Sequence, residues 1–243
     1  MDKPIIQTVN LTHSYTAAPS LYKLNLSIHR GEIFGFLGHN GAGKTTTIHI
    51  LTTLLVPTSG QALVSGYDTV KDSFDVRHHI GYLPENVTFY NNLTAYENLA
   101  FLGNLSGVNE IDRRIHETLD FLDFRGVENK KLGTFSKGMR QRIGIAQAIL
   151  HEPDVLFLDE PTSGLDPSGI KNLREIILRL NKERGMTIFI NTHLLSEVTK
   201  TCTSIGVLNH GRLIYKDTLA HTLQKFPDEA SLEDIYVQME QHE

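Results

Sequence analysis

Short apolar runs recur along the chain, each closed by a glycine, a proline or a polar pair. Between them lie longer stretches whose apolar residues return every three or four positions. The pattern predicts strands over Ile5–Asn10 and Leu21–Ile28, joined by a polar stretch and followed by the turn Arg30-Gly31-Glu32, an antiparallel piece laid beside a main sheet. Ile33-Phe34-Gly35-Phe36-Leu37 reads as a short apolar strand. A helix is expected from about Lys44 to Leu55, halted before Pro57. From Asn86 to about Leu132 the pattern is mostly helical. Thr94 and Glu97 form a capping box for a helix through Leu105, and Ile111, Ile115, Leu119 and Leu122 share one face of a second helix. Ser136 caps a long helix reaching Leu150, and Pro153 precedes the strand Val155–Leu158. Asp166-Pro167 starts a helix that ends near Gly185. Thr187–Asn191 is another buried strand. A hairpin turns at His210-Gly211 between Ile205–Asn209 and Arg212–Tyr215, and two short helices follow. This alternation implies an α/β fold with a mainly parallel central sheet, an antiparallel β subdomain and a helical subdomain.

The length, 243 residues, suits one large domain over 1–243, with the helical subdomain at about 86–150 and a C-terminal tail from about 218 to 243. The net charge of −5 argues against a nucleic-acid partner, which would call for a basic stripe. The single cysteine, Cys202, excludes an internal disulfide and any multi-cysteine metal site, and reads as a small, partly buried residue. No uninterrupted apolar run exceeds four residues, so the chain is not expected to span a membrane itself. Met1-Asp2-Lys3-Pro4 lacks the layout of a signal peptide, and the expected location is cytoplasmic.

Gly38-His39-Asn40-Gly41-Ala42-Gly43-Lys44-Thr45, followed by Thr46, fits G-x-x-x-x-G-K-[ST] after a strand and before a helix. Glycines let backbone N–H groups turn inward around a polyphosphate, and the helix N-terminus adds partial positive charge. Lys44 is placed to reach the terminal phosphates of a nucleotide, and the Thr45 hydroxyl to bind Mg²⁺. The strand Val155–Leu158 ends in Asp159-Glu160. Beside a phosphate loop, the first carboxylate is suited to hold Mg²⁺ and the second to take a proton from the water that attacks the γ-phosphate.

Together with those two motifs, the chain from about Ile5 to Tyr215 resembles the ATP-binding subunit of an ABC transporter. The likeness is carried by Phe135-Ser136-Lys137-Gly138-Met139-Arg140-Gln141-Arg142, similar to the family's signature sequence, by Ser163-Gly164-Leu165-Asp166, similar to its D-loop, and by Asn191-Thr192-His193, which matches its switch histidine. Tyr15 stands where the family has an aromatic that stacks on adenine. The resemblance implies a P-loop NTPase of the ABC type that binds ATP and Mg²⁺. Glu160, His193 and Glu85 would be its catalytic residues, and Thr45, Glu85 and Asp159 would stand at the metal. It also implies two ATP molecules held head to tail between this chain and a second copy or a paralogue, with Ser136 and Gly138 of one closing over the phosphate loop of the other. Integral membrane permease subunits would hold the protein on the inner face of the membrane.

The chain departs from the family in three places: Glu85 replaces the usual glutamine, Lys137 a glycine and Met139 a glutamine. An ionised carboxylate cannot donate a hydrogen bond, so Glu85 would position water differently. These departures resemble the subgroup serving ABC-2 export permeases, and Gly81–Tyr90 is similar to the ATPase of the copper-linked transporter for nitrous-oxide reductase maturation. One alternative stays open on sequence grounds, a soluble ABC ATPase that regulates or assembles without a permease; a cassette that binds ATP without hydrolysing it is argued against by the presence of Lys44, Asp159, Glu160 and His193.

Overall fold

The computed structural model describes residues 3–16, 18–226 and 232–241; Met1, Asp2 and the remaining parts of the expected 218–243 tail lie outside the described residues. The antiparallel piece begins with β1 (Ile6–Ser14) and β2 (Pro19–Ile28), paired from Ile6–Ile28 to Ser14–Pro19 and so longer than their apolar cores. β3 (Ile33–Leu37) has the expected bounds. α1 (Lys44–Leu51) stops four residues short of the predicted Leu55. The Thr52 hydroxyl donates to the carbonyl of Ile48 at 2.8 Å, Thr53 turns left-handed at φ 65°, and the amides of Leu54 and Leu55 both return to the carbonyl of His49. β4 (Ser59–Val64), β5 (Tyr67–Asp68), α2 (Ser73–His79) and β6 (Ile80–Leu83) are short elements that the hydrophobic pattern did not predict. β4 opens with three exposed residues, so its alternation is visible only at Ala62 and Val64.

α3 (Ala95–Leu105) carries both halves of the Thr94–Glu97 capping box, and α4 (Ile111–Phe121) buries Ile115 and Leu119. A single 3₁₀ turn (Leu132–Thr134) leads to α5 (Lys137–Ile149), capped by Ser136. The helices of the 86–150 segment therefore begin only at Ala95. β7 (Val155–Asp159) and α6 (Pro167–Arg184) follow, α6 opened by the Asp166 side chain and closed by left-handed Gly185. Then come β8 (Thr187–Asn191), the unpredicted α7 (Leu195–Thr201), the hairpin β9 (Ser204–Asn209) and β10 (Arg212–Thr218), α8 (Leu219–Lys225) and α9 (Leu232–Gln241).

Two sheets result. One is four-stranded and antiparallel, in the order β2-β1-β4-β5; the other is six-stranded, in the order β10-β9-β3-β8-β7-β6. In the larger sheet every pairing except β9–β10 is parallel. Period-two alternation sorts its residues between two cores. Phe34, Phe36, Phe157 and Phe189 face the core shared with Ile6, Leu24, Ile28 and Val64 of the antiparallel sheet. Ile33, Leu37, Leu156, Leu158, Ile188 and Ile190 face the core shared with the helices of the other side. Phe189 is the hub of the first core, its ring 5.4, 5.3 and 5.5 Å from those of Phe34, Phe36 and Phe157. Losing such a ring typically costs about 3–5 kcal/mol. Cys202 is buried against Gly35, and burial pushes its thiol up to about 12, which leaves it unreactive.

The two sheets are also tied by one carboxylate. Asp154, just before β7, pairs with Arg30 at 3.2 Å and His79 at 2.7 Å and accepts from the Ser65 hydroxyl at 3.3 Å. Partial burial pushes its carboxyl up, but the hydrogen bonds from His79 and Arg30 outweigh that and hold it below the ordinary carboxylate range. A carboxyl with a depressed folded pKa adds stability above its unfolded value of about 4 and loses it as pH falls through the folded value. Asp154→Asn is therefore expected to lower unfolding free energy by about 1 kcal/mol at neutral pH, discounted for its exposure. Denaturant titrations should show that gap close below about pH 4; a gap that persists there would exclude the carboxylate charge as its cause.

Candidate functional site

β3 runs buried along all five residues between β8 and β9 and delivers Gly38 to the sheet's carboxyl end, where parallel α/β sheets bind ligands. A Cβ on Gly38 would stand 2.4 Å from the carbonyl oxygen of Leu208. Gly43, the cap of α1, has φ 107°, and a Cβ there would stand 2.5 Å from the carbonyl oxygen of Ser20. Only glycine fits either place, so the loop and the start of α1 are fixed by sterics. Lys44, 6% exposed, folds back so that Nζ donates to the carbonyls of Gly38 at 2.5 Å and His39 at 3.1 Å. Burial pulls the Lys44 pKa down, against the upward pull of Glu160 and then Asp159. This ammonium lies in a low-dielectric setting and is poised for an anion.

Asp159 ends β7 with its carboxylate buried and accepts a short hydrogen bond from the side-chain amide of Asn191, the register partner at the end of β8. Burial raises its pKa above the usual value, and the charges of Glu160 and Glu85 add to the rise. Glu160 takes a left-handed φ of 45° while its N–H donates to the Asn191 carbonyl at 2.9 Å. Such a backbone typically costs about 1–3 kcal/mol in a non-glycine residue, and it aims the Glu160 side chain off the strand end. The Glu160 carboxylate meets His193 Nδ1 at 2.8 Å, and the ring is more exposed than the acid. Glu85 is exposed and accepts from the Ser163 hydroxyl at 3.5 Å.

One cleft of about 600 Å³ is lined by Tyr15, Asn40, Gly41, Gly43, Lys44, Thr45, Thr46, Glu85, Glu160 and His193, all anticipated from sequence. Tyr15 is 62% exposed, edge-on to His13 at 4.6 Å, with its hydroxyl 3.5 Å from that of Thr46. Of the other anticipated loop residues, Gly38 and His39 supply the carbonyls that hold Lys44, and Ala42 is buried. Ser136 and Gly138 lie elsewhere. The Ser136 hydroxyl accepts from Met139 N–H at 3.3 Å, and both residues line a separate hollow of about 250 Å³ with Leu165 and Asp166. The chain thus brings the phosphate loop, the acidic pair and the histidine together and leaves the α5 terminus out. Ser20 and Asn191 also line the cleft and were not anticipated as site residues. The signal for Asn191 was available, since an amide ends an otherwise apolar strand.

Among the described residues no group of three or more His, Cys, Asp or Glu side chains could hold a metal ion by itself. The cleft nonetheless fits Mg²⁺, which prefers oxygen donors and typically takes one or two protein ligands plus phosphates. Thr45 offers a hydroxyl in the cleft, Asp159 is a carboxylate whose burial raises its pKa, and the Asn191 amide oxygen has no partner.

A glycine-shaped loop with a buried lysine at the carboxyl end of a parallel strand, together with an acidic pair at the end of the strand two places away in the sheet, defines a P-loop nucleotide-binding protein. Residues 21–163 match the family model described as ABC transporter, and the chain belongs to that family of ATP-hydrolysing, ATP-binding proteins. It is 44% identical over 217 residues to the bacitracin transport ATP-binding protein BcrA of Bacillus licheniformis, covering 89% of this chain and 71% of that one. It is 41% identical over 199 residues to the ABC transporter ATP-binding protein NatA of Bacillus subtilis, covering 81% and 80%. Among solved structures, an ATP-binding subunit of an ABC transporter superposes with a TM-score of 0.86 at 32% identity, over 97% of this chain and 99% of that one. The ABC transporter cassette MJ0796, solved as a dimer, superposes at 0.79 and 26% identity, over 88% and 98%.

Lys44→Ala should weaken ATP binding by about 10- to 100-fold, the value of one charge-assisted contact. Calorimetric titration with ATP reads this directly, and an unchanged affinity would remove Lys44 from the phosphate site.

Proposed function

We propose that this chain is the Mg²⁺-dependent ATPase subunit of an export-type ABC transporter, working as a head-to-tail pair with a second copy or a paralogue. The observation that carries the reading is the division of the chain into two faces: one holds the phosphate loop, the other the Ser136-capped end of α5. That end is a second anion-binding helix terminus and has no phosphate loop of its own chain before it. A two-fold pairing would bring each terminus to the partner's nucleotide and complete two sites at once.

In this site Tyr15 stacks on adenine, the loop and Lys44 hold the phosphates, and Ser136 and Gly138 of the other subunit close over the γ-phosphate. Thr45 and Asp159 would hold Mg²⁺, which neutralises phosphate charge, with Glu85 at its edge. Glu160 accepts the proton of the attacking water. His193, already hydrogen-bonded to Glu160, fixes the position of that carboxylate and presents its other nitrogen to the γ-phosphate. Hydrolysis removes the charge that holds the two faces together, and the pair reopens.

The permease would dock on a groove of about 570 Å³ formed by the end of α1, α2, the end of α3 and the loop after it. Exposed Leu54, Phe74 and Leu105 rim it. Among the described residues no helix is long and apolar enough to cross a membrane. In this reading a separate permease supplies the membrane path, and the chain sits on the inner membrane face through it. The relative named for bacitracin transport favours a cargo of antibiotic type over the copper-linked maturation role suggested by Gly81–Tyr90.

Glu160→Gln should keep ATP binding and lower turnover by about 10²- to 10⁴-fold, the usual worth of a positioned base. Single-turnover phosphate release measures it, and turnover at the parent rate would exclude Glu160 as the base. Leu105→Glu should leave ATP affinity unchanged and abolish recovery of a polytopic membrane protein with the chain from native membranes. Undiminished recovery would move the docking surface elsewhere.

A further inference from the structure

β8 is buried along its whole length, yet it ends in an amide. Asn191 is 1% exposed, and a buried polar side chain normally has its hydrogen-bonding capacity met. Here only half of it is met. Nδ2 donates to the Asp159 carboxylate, whereas Oδ1 has no hydrogen-bond partner. The orientation follows from chemistry, because an ionised carboxylate only accepts and the NH₂ end must face it. The carbonyl end is then the one left over, on a residue that lines the nucleotide cleft.

The sheet sets this position. β8 lies between β3 and β7, and its register places Asn191 beside Phe36 on one side and Asp159 on the other. The amide therefore sits between the strand that launches the phosphate loop and the strand that carries the acidic pair. Its backbone carbonyl also receives the N–H of Glu160, so one residue holds the Asp159 carboxylate and the Glu160 backbone. A residue needed only to fill the strand end would be served by leucine, which has nearly the same shape and no polar atoms to leave unpaired.

Resting on the reading of this cleft as a Mg²⁺–ATP site, we propose that Asn191 is a positioning residue of that site. Its N–H holds the Asp159 carboxylate in the orientation that receives the metal, and its free oxygen accepts a hydrogen bond from a water that arrives with the metal nucleotide. Outer-shell partners of this kind typically contribute about 10- to 100-fold to metal affinity.

The test is equilibrium ATP binding by the full chain, first in EDTA and then across a Mg²⁺ titration, for wild type and Asn191→Leu. Affinity in EDTA should agree within about twofold, while the Mg²⁺ needed for half its effect on ATP binding rises about tenfold or more in the variant. Thermal unfolding of the nucleotide-free proteins checks that both are folded. Should leucine prevent folding, Asn191→Ala carries the same comparison with the same expected split. If wild type responds to Mg²⁺ and the folded variant responds identically, this inference alone is overturned. If wild type binds no ATP with Mg²⁺ present, the reading beneath it falls as well.

Discussion

A buried ammonium must find oxygen, and the organisation of this chain follows from how Lys44 finds it. Its side chain is closed off from water, turned back on the carbonyls of Gly38 and His39, and close enough to Asp159 and Glu160 to feel both charges. Neutral carbonyls take up two of its three donors without matching its charge, so an incoming triphosphate offers it more than the loop does. The glycines at 38 and 43 let the backbone wrap this ammonium so closely. The sheet, buried on both faces, holds the strand ends still while charge is exchanged.

Phosphate charge also gives the proposed pairing its physical reason. A triphosphate in this cleft meets Lys44 and the start of α1, but it also faces two carboxylates from β7 and β6's exposed successor, Glu85. A further positive end is needed, and the chain carries one at Ser136 on a different face. In the proposed pair that terminus becomes available to the other copy's nucleotide, and assembly would be tied to the γ-phosphate, so that chemistry at one bond would move whole subunits.

Much of this was legible in the residues because local rules and the final fold agree. Capping at Thr94, Ser136 and Asp166 and the strand bounds Ile33–Leu37 and Thr187–Asn191 rest on short-range chemistry that tertiary packing did not override. β4, β5 and α2 were illegible because their faces are half exposed and their lengths too short for periodicity to register. The overrun of α1 to Leu55 has a related cause: Leu54 and Leu55 keep the helical spacing, but the Thr52 hydroxyl and a left-handed Thr53 end the helix first. At the site, residues in contiguous motifs were found. The amide of Asn191 at the end of an apolar strand is visible in sequence, but which groups it serves depends on β8 lying between β3 and β7, an order that chain sequence does not display.

If each nucleotide site is built from two subunits, two differently broken subunits should rescue one another when mixed. Lys44→Ala spoils the loop face and Gly138→Asp the α5 face, so each variant alone should be inactive. In a mixed pair both lesions fall in one composite site and the other is intact. Mixing equal amounts should therefore restore about a quarter of wild-type ATPase activity, since about half the pairs are mixed and each has one sound site. A mixture as inactive as its components would contradict the shared site.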